Sequence, residues 1–268
     1  MTMPRDILVS IMGDDLYARN WMALLIVRDW RTRLVSEVTC DEDFMKFKAE
    51  QIHKVDFLLL DLDSFQDKPD ILAEIDREMD PKKPVRILCV GSRLEPKVFK
   101  RINPANFAGY LLKDEISTSL AWAITFASEG NLVLTSSTQQ CGHEAGYQFS
   151  GKYMVLSTGS IPGLTARQAE ISRLAIIFSI GRRDLADELK ISDQWSYGLV
   201  SELYENLGLK EIFNGESDPY KYINEDPMIQ EHLTEILAEL GDSKKAKDLE
   251  TLAFHLITMP VIDEYRNL

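Results

Sequence analysis

A chain of 268 residues, 45% hydrophobic and 27% charged, has the makeup of an ordinary soluble globular protein and the length for two domains. Its net charge of −13 argues against non-specific nucleic-acid affinity, which rests on lysine and arginine contacts to phosphate. The excess is uneven, with 18 Lys+Arg against 22 Asp+Glu up to Ser137 and 12 against 21 beyond it. Cys40, Cys89 and Cys141 are odd in number and widely spaced, which excludes a disulfide framework and a Cys-x-x-Cys zinc site and fits a reducing cytoplasm. His53, His143, His232 and His255 add no metal-ligand spacing. The amino terminus lacks an apolar signal-peptide core, and the apolar run Trp21 to Val27 is too short to span a bilayer, so a cytoplasmic chain with no membrane partner is expected.

In chain order, Asp6 to Ile11 reads as a short strand ending at Met12-Gly13-Asp14-Asp15, and Leu16 to Val27 as a helix. Leu34 to Val38 is a second strand and Asp41 to Ile52 a second helix. The run Val55-Asp56-Phe57-Leu58-Leu59-Leu60-Asp61 holds four consecutive apolar residues without alternation, the pattern of a strand buried on both faces. A helix over Asp70 to Met79 follows, started by Pro69 and ended by Pro81 and Pro84. Val85 to Val90 is the fourth strand, leading to Gly91-Ser92, and a short helix over Glu95 to Ile102 stops at Pro104. Phe107 to Leu112 is the fifth strand, leading to Lys113-Asp114, and Ser117 to Glu129 is a helix capped by Gly130. Alternating strands and helices predict a doubly wound α/β domain over residues 1–136 with a five-stranded parallel sheet.

Residues 137–163 are rich in Ser, Thr, Gln and Gly and read as a linker, within which Tyr153 to Leu156 could form a short strand. Helical patterning resumes at Leu164, where Thr165-Ala166-Arg167-Gln168 fits a capping box. Helices over Ala166 to Phe178, Arg182 to Leu189 and Asp193 to Leu207, the last capped by Ser192, give helix-turn-helix spacing within an all-α domain over 164–210. A helical C-terminal extension over 211–268 is expected from Met228 to Leu240 and Lys244 to Met259.

In an open parallel sheet, chemistry sits beyond the carboxyl ends of the strands. The acids after the first and third strands and the lysine after the fifth would converge there. A carboxylate can accept a phosphoryl group when a divalent cation offsets the charge and a cation holds the transferred oxygens. Asp61 would then be the nucleophile, Asp14 and Asp15 would join it around Mg²⁺, and Lys113 would pair with the phosphoryl oxygens. The Asp61-Leu62-Asp63 run is also compatible with a haloacid-type phosphatase, an enzyme reading that leaves the helix-turn-helix without a role.

Val55 to Asp61 and Gly109-Tyr110-Leu111-Leu112-Lys113-Asp114 resemble the receiver domain of two-component response regulators. Ala123 to Ser136 resembles the receiver's end in the NarL/LuxR-type branch, and Leu164 to Leu209 its four-helix DNA-binding domain. The resemblance covers residues 1 to about 210. It implies a non-enzymatic signalling protein, phosphorylated on Asp61 by a sensor histidine kinase with Mg²⁺ as cofactor. It further implies Lys113 as the phosphate-sensing lysine, Tyr110 as the switch aromatic, a homodimer, and transcriptional regulation through DNA.

The chain departs from that pattern. Gly91 stands where the family keeps Thr or Ser, with Ser92 beside it as the nearest hydroxyl. Alignment on Arg19 puts Gly13 at the first acidic position and Asp14 at the second, whereas alignment on the acid pair uses Asp14 and Asp15 with a one-residue deletion; Ser64-Phe65 replaces the family's Met-Pro. The second helix of the helix-turn-helix has three acids and no Lys or Arg, with Gln194, Tyr197, Leu199 and Glu205 at the contact positions. Arg182 and Arg183 are the domain's basic pair, expected either to touch one DNA phosphate or to be a solvated surface pair. Two outputs therefore stand open: a phosphorylated DNA-binding regulator, or a degenerate regulator that signals through protein contacts without binding DNA.

Overall fold

A computed structural model of the chain describes residues 6–39, 52–65, 71–78, 85–161, 163–214, 226–240 and 246–267. The chain divides into two compact units, Met1–Thr158 with Pro260–Leu268, and Gly159–Met259. No helix among the described residues is long and apolar enough to cross a membrane.

The first unit is built on the five strands legible as apolar runs: β1 (Ile7–Met12), β2 (Thr32–Val38), β3 (Phe57–Asp61), β4 (Arg86–Gly91) and β5 (Phe107–Leu112), parallel in the order β2-β1-β3-β4-β5. Every residue of β3 is buried, as a run without alternation requires. Helices α1 (Leu16–Arg28), α2 (Ile71–Glu78), α3 (Lys97–Arg101), α4 (Lys113–Ile116) and α5 (Leu120–Ser128) alternate with the strands. The helix expected over Asp41 to Ile52 lies outside the described residues except for Ile52, which opens the 3-10 turn Ile52–Lys54. Asp70 and Met79, expected at the ends of α2, lie outside them too, as does Cys40. Strand order reverses between β1 and β3, so the crevice at a switch point opens beside the carboxyl end of β3.

The sheet has eight strands rather than five. Residues 137–163 are not a linker: they hold α6 (Ser136–Glu144) and β7 (Lys152–Ser157), which follow β6 (Leu132–Leu134), and β6 and β7 extend the sheet in parallel. The polar composition misleads because these residues are used inside the fold. Thr135 and Thr138 form a capping box at the start of α6, and Thr138 Oγ1 donates to the Tyr110 carbonyl at 2.7 Å. Tyr147, Phe149 and Tyr153 pack in a chain of aromatic contacts, and Phe99 and Phe107 join it. Gly142 permits this closeness, since a Cβ there would stand 2.4 Å from Phe149 Cζ.

The tail departs from expectation as well. After the second unit the chain returns as β8 (Val261–Asn267), antiparallel to β7, so 211–268 is not helical throughout. The Tyr153 hydroxyl donates to Glu264 Oε1 at 2.9 Å and Gln139 donates to Glu264 Oε2 at 2.7 Å, which fastens β8 to β7 and α6. Val261, Ile262 and Tyr265 are residue types that favour strands, and β7 without β8 would leave an open edge.

The second unit is helical. Thr165 caps α7 (Ala166–Ser172) in the expected box with Gln168, and a π-helical turn, Arg173–Ile177, extends it. Then come α8 (Arg182–Leu189), α9 (Asp193–Asn206), α10 (Leu209–Asn214), α11 (Pro227–Leu240) and α12 (Ala246–Ile257). Between α8 and α9, Lys190 turns the chain in the left-handed conformation at φ 55°, and Ser192 caps α9 by accepting from the Trp195 amide at 3.2 Å. The joint has the helix-turn-helix spacing read from the sequence. Leu185, Val200, Leu203, Ile229, Leu233 and Leu252 are fully or almost fully buried in this unit.

Candidate functional site

Asp61 closes β3 with its side chain fully buried. Its Oδ1 accepts from Lys113 Nζ at 2.8 Å and from the Asp63 amide at 3.2 Å, while Oδ2 is buried and accepts no hydrogen bond among the described residues. Lys113 reaches it from the first position of α4, directly after β5. That start is fixed by its neighbours: the Leu112 amide donates to Thr135 Oγ1 at 3.2 Å, and Ser137 donates through its amide and hydroxyl to Glu115. The sequence-predicted Asp61–Lys113 pair is therefore in place.

The 3-10 turn Leu62–Phe65 buries Leu62 and swings Asp63 back over the same edge. Lys113 Nζ donates to Asp63 Oδ2 at 2.8 Å as well as to Asp61. Ser92 donates to Asp63 through its amide, at 3.0 Å to Oδ1 and 2.9 Å to Oδ2, and through its hydroxyl, at 2.7 Å to Oδ2. Ser92 thus faces the site, but its hydroxyl is engaged by Asp63. Sequence reasoning marks Asp63 only as a second acid and misses its part in this edge. The signal was present as an acid two residues past the strand and a hydroxyl just past β4, but spacing does not tell which way a turn folds back.

The two carboxyls are driven apart. Burial pushes the Asp61 carboxyl above its ordinary value, and Lys113 opposes this without reversing it. Burial works in the same direction on the more exposed Asp63, but the Lys113 and Ser92 hydrogen bonds overcome it and hold that carboxyl below the ordinary value. Burial acts to lower the Lys113 ammonium, and its bonds to Asp61 and Asp63 outweigh it, so the group is held above its ordinary value. Lys113 bridges both carboxyls at 2.8 Å, and Asp61 is the one whose charge burial opposes.

The two acids expected to join Asp61 around Mg²⁺ follow β1, beside that edge. Asp15 caps α1, its Oδ1 accepting from the Tyr17 and Ala18 amides at 2.8 and 3.1 Å. The Asp14 amide donates to Ser64 Oγ at 2.7 Å, and its residue is exposed. Gly13 packs directly on Asp61, where a Cβ would stand 2.8 Å from Asp61 Cβ, so no side chain at 13 fits without displacement. Among the described residues no group of three His, Cys, Asp or Glu side chains could hold a metal ion.

Of the two switch positions, Gly91 has ordinary room for a small side chain, with Arg93 O at 3.4 Å the nearest atom to a built Cβ. Tyr110 is fully buried. Its hydroxyl donates to the Arg93 carbonyl at 2.7 Å and accepts from the Glu95 amide at 2.9 Å, fixing the loop that follows Ser92. Of the residues expected to face DNA, Arg182 and Arg183 open α8, the first half-buried and the second exposed, and Gln194 and Tyr197 are exposed near the start of α9.

No protein-family model matches the chain, and no curated protein matches it. Solved structures do match. This chain is similar to response regulators. The RcsB response regulator of Salmonella typhimurium aligns at TM-score 0.43 and 16% identity, over 76% of this chain and 93% of that one. The response regulator ChrA of a heme-sensing two-component system aligns at TM-score 0.40 and 18% identity, over 76% and 90% of the two chains. The isolated REC domain of RcsB from Salmonella enterica serovar Typhimurium, in the presence of phosphomimetic BeF3⁻, aligns at TM-score 0.42 and 16% identity, over 51% of this chain and 99% of that domain. Residue roles do not transfer at such identity, and the side chains of this chain carry the functional reading.

Proposed function

We propose that this chain is a response-regulator-like signalling protein whose receiver-like unit is held in one state by its own Asp63 carboxylate and whose output is contact with another protein. One observation carries this: the amide and hydroxyl of Ser92 and the ammonium of Lys113 all converge on Asp63. These are the groups that a phosphoryl group on Asp61 would need, and a built-in anion already has them. Full burial of Asp61 points the same way, because a nucleophile must be met by its donor. No enzymatic turnover is part of this reading, since a phosphate ester would face the same burial.

The helix-turn-helix joint at Lys190 favours a second reading. In it Asp61 remains a phosphoacceptor served by a sensor histidine kinase with Mg²⁺, and a homodimer takes the signal to DNA. The acidic face of α9 weighs against it.

Incubation of the full chain with acetyl phosphate and Mg²⁺, followed by intact mass measurement beside Asp61→Asn, separates the two. The proposal expects no gain of a phosphoryl mass in either protein. A stoichiometric gain in the wild type that Asp61→Asn abolishes would overturn it.

A further inference from the structure

Helix α9 presents a face that the described residues of its unit leave exposed. Trp195 and Tyr197 are each 62% exposed, although aromatic side chains of that size are ordinarily the first to be buried. At about 100° per residue, they flank an exposed strip along the helix. Gly198 and Ser201 form its floor, Glu202 and Glu205 follow along it, and the whole helix contains no Lys or Arg.

Gly198 sharpens the point. Glycine weakens a helix interior relative to alanine, yet a Cβ at Gly198 would meet nothing within 4 Å, so no neighbour in the chain requires its absence. What the glycine provides is bare backbone on the exposed side of the helix, with an aromatic side chain at either flank of that side. The strip is negative, and so is the unit around it: residues 159–259 hold 10 Lys+Arg against 18 Asp+Glu. A nucleic-acid backbone would be repelled there. A guanidinium matches both features, because it pairs with carboxylates and stacks on aromatic faces, which an ammonium does less well.

We infer that this face of α9 docks an arginine-bearing basic segment of a partner protein. The inference deepens the proposed output through protein contact. Its test leaves the Asp61 edge untouched, so either can fail alone.

The full chain is titrated into three labelled probes at about 0.15 M salt: an arginine–glycine repeat peptide, the lysine–glycine counterpart and a DNA duplex. The arginine peptide is expected to bind most tightly. The double variant Trp195→Ala/Tyr197→Ala should weaken it by about 10-fold or more, as loss of two partly desolvated cation–π contacts implies. Gly198→Ala should also weaken binding while raising the helix's own stability. Glu231→Gln/Glu239→Gln removes two exposed charges on α11 rather than α9 and should change affinity less than about 2-fold. Equal affinity of the aromatic double variant and wild type for the arginine peptide would overturn the inference, as would tighter binding of the duplex than of either peptide.

Discussion

Lys113→Ala is expected to cost the first unit about 3 kcal/mol at neutral pH, the low end of the range for removing one partner of a buried ion pair. The substitution leaves Asp61 fully buried and Asp63 beside it at 26% side-chain exposure, with their shared cation gone. Proton linkage then gives a diagnostic slope. The Asp61 carboxyl already sits above its unfolded value. Without Lys113 it rises further, so the folded state holds the proton in preference to the unfolded one. Stability of the variant should therefore increase as pH falls from above the folded Asp61 value toward the unfolded value of about 3.9. In the wild type Asp63 acts with the opposite sign: its lowered carboxyl contributes stability that is present above the unfolded value and lost as pH falls through the folded one. Adding Asp61→Asn to Lys113→Ala removes the buried charge and should recover most of the loss. Urea unfolding followed through amide exchange in β3 and β4 measures all three proteins. A loss below about 1 kcal/mol with no pH slope would mean that the ion pair carries no weight.

Gly109→Ala should be at least as damaging. Gly109 lies in β5 at φ 155° and pairs with Val133 of β6, where a Cβ would stand 2.0 Å from the Val133 carbonyl oxygen and 2.8 Å from its Cγ2. The contact is with backbone, so no rotamer change relieves it, and β5 and β6 must separate. Loss of at least about 3 kcal/mol is expected, from forced backbone displacement and broken ladder bonds. The damage should reach the candidate site, since Lys113 follows β5 directly. Gly91→Ala provides the comparison: its nearest contact is 3.4 Å away, and its cost should stay below about 1 kcal/mol. Thermal unfolding of the two variants against wild type tests the pair. Similar melting temperatures for Gly109→Ala and Gly91→Ala would contradict the close approach of β5 and β6.

These two positions show what the sequence carried and what it did not. Gly109 was legible as part of a family motif, but the reason for a glycine became visible only with β6 against it; β6 and β8 lie beyond the runs read as strands, while Tyr153 to Leu156 was already legible as the centre of β7. Strands buried on both faces announce themselves by continuous hydrophobicity, as Phe57 to Leu60 does. The three further strands are short or lie toward the sheet edge, and the helix between β6 and β7 is written in Ser, Thr and Gln that cap and pack rather than solvate. Likewise the convergence of Asp61 and Lys113 followed from strand order alone. Asp15 reads in sequence like a metal-binding acid, and only the amides of Tyr17 and Ala18 show it to be a helix cap. Asp63 was hidden for a similar reason: a tight turn, not a periodicity, brings it onto Ser92 and Lys113. In the second unit the cap at Ser192 and the box at Thr165 were both legible, because local side-chain-to-backbone bonds need only a few residues to form.

Asp63, an anion built into the chain, holds Lys113 and Ser92 while Asp61 is kept back as a buried carboxyl. Carboxyl-carbon NMR titration of the folded full chain, with Asp61 and Asp63 assigned individually, tests this division of roles most directly. Asp61 should titrate above the ordinary aspartate value of about 3.9 and Asp63 below it, and Ser92→Ala should move Asp63 upward. Asp61 titrating as the lower of the two, or Asp63 titrating as a free surface carboxylate unmoved by Ser92→Ala, would contradict it.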